Sequence, residues 1–468
     1  MRLSAACGLA AGVMLAGLVA SAAALSYQGE RDLGQGFDLA ARQRLALITD
    51  PDVVDYINGI GRKIAATLEP SFFDYQFAVV RDARINAFAV PGGWVYVHGG
   101  LLVAAKSDDE VAAVLGHEIG HVHAHHIVRQ QEKTAVLSYA SLLGMLIGVV
   151  QPAAGALTSA ASQAAMLQYQ RDFEQEADYL GARYMQSAGY DPRAMLDFFK
   201  QLSDQQRVSP SLAPPYLQTH PMSDERLNHL EAVLKTAQWK ARQRAPISFA
   251  LQRVQALVRV RLESPADVLA AYRRGVDQHP DNPIAQYLFG LVGLEVGQLD
   301  AAATGLDAAR AAGVSVADRE LGRLALHQRD AARARALLSA YLATAPDDAG
   351  ARVDLAKAEE ALGERDAALA EYQHALALAP WLATAQHGYG LLAGRAGRSG
   401  EGFYHLATAA RLDGDYATAL NQYARAQPLL PAGDPRAEDA LLWIASLSQY
   451  LKVDAPPTAS AEGPKTKD

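Results

Sequence analysis

The 468-residue chain has a single cysteine, only 7% aromatic residues and no excess of positive charge. One cysteine excludes a disulfide scaffold and any cysteine-based zinc ribbon. With 51 acids against 43 bases, overall charge does not hold the chain to nucleic acid or anionic lipid, and no nucleic-acid partner is expected. Long hydrophobic runs are also scarce. Leu3 to Val19 is apolar behind the basic start Met1-Arg2, but it is short and rich in Ala and Gly, marginal for crossing a bilayer. Val136 to Val150 is uncharged yet only 15 residues long, and it stops at Gln151-Pro152. A spanning helix needs roughly 20 residues, so a buried helix or a flap is expected there.

What is present is an alanine-rich, half-apolar sequence long enough for about three domains. Ala20-Ser21-Ala22 and Ala22-Ala23-Ala24 follow the first apolar stretch and offer the small-x-small pattern of signal cleavage. Residues 1–24 are therefore expected to be a removed signal peptide, Cys7 leaving with it, and the mature protein to be periplasmic. Peripheral contact with a membrane stays open.

From Gly29 to Leu68 the apolar positions recur at helical spacing. Phe72 to Val80 and Trp94 to Val97 predict strands, with Pro91-Gly92-Gly93 as turn chemistry before the second. Ser107-Asp108-Asp109-Glu110 is a capping box predicting a helix to about residue 127. A further helix around Glu174 to Met185 is expected to stop near Ala188-Gly189-Tyr190-Asp191-Pro192. Few strands among many helices predict an α+β domain over 25–247.

Residues 248–453 repeat themselves. The pattern Ala-x-x-x-(aromatic or Leu)-x-x-Ala recurs at Ala302, Leu306, Ala309; at Ala334, Leu338; at Ala368, Tyr372, Ala375; and at Gly402, Leu406, Ala409. Corresponding positions step by 34 or 32 residues, and an earlier unit at Tyr272 and a half unit at Ala419, Tyr423, Ala426 extend the series. Gly290, Gly322 and Gly390 fall where the first helix of a unit needs a small residue, and Gly297, Gly363 and Gly397 at the turn inside a unit. This resembles the tetratricopeptide repeat, an all-α solenoid whose concave face binds peptides. The Pro-, Ala- and Lys-rich residues 454–468 read as a disordered tail.

His117-Glu118-Ile119-Gly120-His121 sits on the helix that Ser107 opens. Residues four apart share a helix face, so both imidazoles can bind one ion, with Glu118 beside the first ligand and within reach of a water. His123, His125 and His126 show that the stretch is simply histidine-rich; they are expected at the surface or behind the ligands. Position 127 is Ile, so no third histidine follows at that spacing. Glu174 and Asp178, about 50 residues on, are again four apart. A carboxylate from Glu174 completes a His₂Glu zinc site with one position left open, and Asp178 can accept the other ring N–H of a ligating histidine. Glu176 points elsewhere and is the weaker candidate.

His117–His121, the segment Glu174 to Asp178 and Asn86-Ala87-Phe88-Ala89-Val90-Pro91-Gly92-Gly93 together resemble the gluzincin metalloproteases, the family of the heat-shock protease HtpX and the CAAX prenyl protease. The signal peptide and the repeats point to the periplasmic branch, the β-barrel assembly-enhancing proteases. The resemblance implies a zincin-like protease domain followed by the solenoid. It also implies one zinc on His117, His121 and Glu174, and Glu118 as the base. Asn86, Ala87, Phe88 and Ala89 would lie on an edge strand above the cleft, to which an extended substrate adds itself. Thr219-His220-Pro221 and Arg226 are also similar: in that branch a histidine here can fill the open zinc position and hold the enzyme inactive. By chemistry alone, a neutral imidazole near zinc does that or stabilises an oxyanion. Arg226 joins Asp178 behind the ligands. The implied function is a zinc endopeptidase in quality control and assembly of outer-membrane β-barrel proteins. Misfolded or stalled outer-membrane chains would be its substrates, and the repeats would dock it to the assembly machinery. The alternative is chiefly a chaperone or adaptor with a latent site.

Overall fold

The computed structural model describes residues 26–131, 160–209, 213–236, 239, 246–454 and 456. The expected signal peptide, the apolar segment 136–150 and most of the tail lie outside them. Among the described residues no helix is long and apolar enough to cross a membrane.

The apolar rhythm of the first stretch resolves into α1 (Tyr27–Arg44) and α2 (Pro51–Ala65) around a two-residue strand β1 (Leu47–Ile48). Ser26 caps α1 by accepting from Gly29 N–H, and Asp50 caps α2 ahead of Pro51, which has no N–H to leave unpaired. The strand predicted from Phe72 is shorter, β2 (Gln76–Val80). Phe72 turns off the sheet because its ring stacks on Tyr27 at 4.4 Å and its carbonyl accepts from Arg31 at 2.9 Å. β3 (Ala87–Val90) and β4 (Trp94–His98) form a hairpin about the expected turn, where Gly92 and Gly93 take positive φ.

The sheet order is β1-β2-β4-β3; β2 and β4 are parallel and the outer pairs antiparallel. β3 is thus an edge strand. One face (Ala87, Ala89, Val95, Val97) packs on α3 (Gly99–Ala104) and α4 (Asp108–His123). The other (Phe88, Val90, Tyr96) packs on Phe37 and Ala41 of α1.

α4 stops four residues before the predicted end. His125 adopts φ +54, and α5 (His126–Gln131) starts in a new direction. The break is tertiary in origin: His125 Nδ1 lies 2.8 Å from Glu30 Oε1 and its ring sits among Tyr27, Phe72 and Phe73. α6 (Ala160–Ser187) ends as expected, with Gly189 at φ +85 and Pro192 leading into α7 (Arg193–Val208). A single-turn helix α8 (Tyr216–Thr219) and α9 (Asp224–Leu234) follow.

The rest is helical. α10 (Phe249–Leu262) and α11 (Pro265–Gln278) lead into the pairs Pro283–Glu295 with Leu299–Ala311, Ala317–His327 with Ala331–Leu342, Ala349–Leu362 with Arg365–Leu378, and Ala383–Arg395 with Ser399–Leu412. Tyr416–Ala426 and Pro435–Leu451 close the series. A side chain at Gly290, Gly322 or Gly390 would strike Leu306, Leu338 or Leu406 of the partner helix within 2.9 Å, so these glycines set the contact inside each pair. The chain is an α+β domain followed by a tetratricopeptide-type solenoid.

The two parts share one core. Leu251, Val254, Leu257 and Val258 of α10 belong to the apolar cluster that begins at Ile48 of the sheet. Charged pairs extend the seam: Asp52 of α2 bonds Arg253 and Arg319, both at 2.6 Å, and Arg253 also reaches Glu320. Arg62 lies over the Trp381 ring at 4.1 Å, and at the far end Tyr416 donates to the Leu39 carbonyl of α1 at 2.7 Å. The solenoid therefore curves round the first domain and returns to its first helix.

Candidate metal centre

The capping box forms as read. Ser107 Oγ accepts from Glu110 N–H, and the Glu110 carboxylate reaches back to Lys106 N–H at 2.7 Å. With its start fixed, α4 runs beneath the sheet and turns His117 and His121 to one side. What brings α6 close enough is a seam of small residues. A Cβ on Gly120 would stand 2.9 Å from the Ala177 carbonyl, and one on Gly181 would stand 2.7 Å from Gly116 backbone. Backbone meets backbone there, and Glu174 arrives opposite the two histidines.

His117 Nε2 and His121 Nε2 are 3.0 Å apart, and each lies 3.4 Å from a Glu174 oxygen. His220 Nδ1 completes the group, 3.2 Å from His117 Nε2 and 3.1 Å from Glu174 Oε1. Four donors a zinc ion favours thus converge on one point. Ligand atoms about 2.0–2.1 Å from a tetrahedral zinc ion stand about 3.3–3.4 Å apart, so spacing and chemistry both fit that ion.

The support around the donors is complete. His117 Nδ1 lies 2.9 Å from Asp178 Oδ1, which fixes the tautomer that leaves Nε2 free. Arg226 grips Asp178 through two bonds of 2.7 Å and holds Glu174 Oε2 at 2.7 Å. Burial pushes the Asp178 carboxyl up, but the Arg226 guanidinium outweighs it and holds the group down at about 2. Asp178 and Arg226 thus stand directly behind the donor atoms.

His126 is the residue that sequence reasoning placed too loosely. It is 3% exposed, its Nδ1 is 2.9 Å from His121 Nδ1, and its Nε2 is 3.1 Å from Glu176 Oε2. Burial pushes its pKa down to about 4, so the ring is neutral: Nδ1 accepts from His121 while Nε2–H donates to Glu176. Glu176 does point away from the donors, as expected, and it anchors this relay together with Arg129. Only the fold reveals the relay, because the break at His125 is what carries His126 back to His121. His123, half-buried against Tyr184, takes no part.

Glu118 is 1% exposed, with Oε1 free of any hydrogen bond and 3.5 Å from His220 Nε2. Residues 86–89 lie at the edge of the sheet, all buried. Ile85, just before them, accepts from Tyr216 N–H at 3.3 Å, which ties the edge to the segment carrying His220.

Residues 51–234, which span this whole arrangement, match the Peptidase family M48 profile. This stretch is thus similar to that family. The family is one of zinc metalloproteases, in keeping with the donor set. Among curated proteins, the chain is 32% identical over 295 residues to a putative beta-barrel assembly-enhancing protease of Vibrio cholerae, covering 59% of each chain. It is 35% identical over 211 residues to the beta-barrel assembly-enhancing protease of Escherichia coli K12, covering 43% of each. A mitochondrial metalloendopeptidase OMA1 of Schizosaccharomyces pombe is 32% identical over 186 residues, 40% of this chain and 54% of that one. The chain spans about half the length of the curated relatives it matches.

Proposed function

We propose that this protein is a periplasmic zinc-dependent endopeptidase acting in quality control and assembly of outer-membrane β-barrel proteins. The observation that carries the reading is Glu118, a buried carboxylate with a free oxygen beside three converging zinc donors. His117, His121 and Glu174 would hold a zinc ion, which when bound would supply Lewis acidity to a carbonyl and to water. Glu118 takes the proton of the attacking water and passes it to the leaving amide nitrogen. Asp178 and His126 keep the two histidine rings aimed, and Arg226 keeps Glu174 ionised and in place. The edge at Asn86–Ala89 offers backbone groups to an extended chain, supported by its position outermost in the sheet. The repeats dock the enzyme to the assembly machinery. The signal peptide over 1–24, the domain limits 25–247 and 248–453 and the tail 454–468 belong to the same proposal.

His220 is the latch. In the fourth donor place its imidazole would take the position a water needs, and a substrate or partner must favour the form in which it has moved away. That placement also favours a second reading, a chaperone or adaptor whose protease is mostly latent. A Glu118→Gln chain used to capture partners from periplasm and outer membrane tests both. Capture of unfolded outer-membrane chains that the active protein cleaves supports the first. Undiminished assembly function in the Gln variant, with no cleavage by wild type, favours the second. His220→Ala is expected to cleave faster than wild type; a slower rate with zinc retained would make His220 a transition-state stabiliser instead.

A further inference from the structure

Tyr216 opens the single turn that leads to His220. Its ring is fully buried, with its centroid 4.6 Å from the His220 ring, 6.4 Å from His117 and 6.3 Å from Phe199. Its backbone is used twice: N–H donates to the Ile85 carbonyl ahead of the edge strand, and C=O accepts from His220 N–H at 2.8 Å. Its hydroxyl is not used at all. The phenol oxygen has no hydrogen-bond partner, and neither has Glu118 Oε1. A phenol carries its proton at neutral pH, so the group is a donor. An unpaired buried hydroxyl destabilises a fold, and phenylalanine would fill the same space without that cost. The hydroxyl is thus a buried donor without an acceptor.

Resting on the peptidase reading above, we propose that Tyr216 is a further catalytic residue, its Oη–H donating to the scissile carbonyl oxygen as negative charge develops there. A fixed donor in a buried site strengthens as charge grows on its acceptor, so it acts on the transition state more than on bound substrate. The tie through Ile85 keeps the donor in register with a chain lying along the edge.

The test compares Tyr216→Phe and Glu118→Gln in the zinc-loaded full chain, each made in wild type and in the His220→Ala background. The substrate is an unfolded outer-membrane protein or a fluorogenic peptide cut from it. Tyr216→Phe is expected to keep its zinc and an equal or higher thermal midpoint. Its kcat is expected to fall about a hundredfold with KM unchanged. Cleavage by Tyr216→Phe at the parent rate overturns the proposal while leaving the peptidase reading standing, as does a lowered midpoint or lost zinc, which marks a structural hydroxyl. Cleavage by the parent chains no faster than by their Glu118→Gln forms overturns the peptidase reading and this proposal together.

Discussion

His121 depends on a neighbour five residues along. His126 accepts its Nδ1 proton and is itself held by Glu176, so His126→Ala frees the ring to rotate. Loss of such support costs about 10–100-fold in metal affinity. Chelator competition on the purified protein is expected to show that drop, while Glu176→Gln, which keeps an acceptor, shows less. The converging donors His117, His121 and Glu174 were legible in the sequence, because i, i+4 pairs on two helices are a local property. The relay was not, because its geometry comes from His125 leaving the helix to meet Glu30 on α1.

The pairing of elements is set by glycine. α4 and α6 touch through Gly116, Gly120, Ala177 and Gly181, and a methyl at Gly181 would stand 2.7–2.8 Å from backbone atoms of Gly116 and His117. Backbone cannot step aside as a flexible side chain does. Gly181→Ala is expected to destabilise the protein by about 1–3 kcal/mol and to weaken zinc binding, since Glu174 rides on the displaced helix. Denaturant unfolding and metal titration of the same variant check both effects. The caps of α4 and the glycine stop after α6 were readable because capping chemistry is local. A reason for Gly116, Gly120 and Gly181 was not, because a glycine inside a helix reads only as a weakness until its partner helix is known.

Across the whole molecule the solenoid is bound to the first domain rather than trailing from it. Asp52 is central to the seam: burial disfavours its charge, but Arg253 and Arg319 outweigh burial and hold its carboxyl below the ordinary carboxylate range. A carboxyl lowered in the folded state contributes its stability in full above the ordinary value near 4, and loses it as pH falls through the lower folded value. Asp52→Ala is therefore expected to cost about 3–5 kcal/mol at neutral pH, by leaving two buried guanidiniums short of a partner. The penalty should shrink in acid, which thermal unfolding of wild type and variant across pH measures. The repeat period predicted a solenoid, and its turn glycines fell where expected. The wrap back to α1 was not legible, because it accumulates from small rotations and from contacts such as Arg62 on Trp381 between residues more than 300 positions apart.

The most direct measurement is cleavage of an unfolded outer-membrane protein by wild type, His220→Ala and Glu118→Gln chains, with zinc quantified in each sample. One zinc per chain throughout is the expected result. Cleavage should be present in wild type, faster in His220→Ala, lower by about 10²–10⁴-fold in Glu118→Gln, and abolished in all by chelation. Cleavage that survives removal of zinc, or that Glu118→Gln performs at the wild-type rate, would contradict a metalloprotease centre built on His117, Glu118, His121 and Glu174.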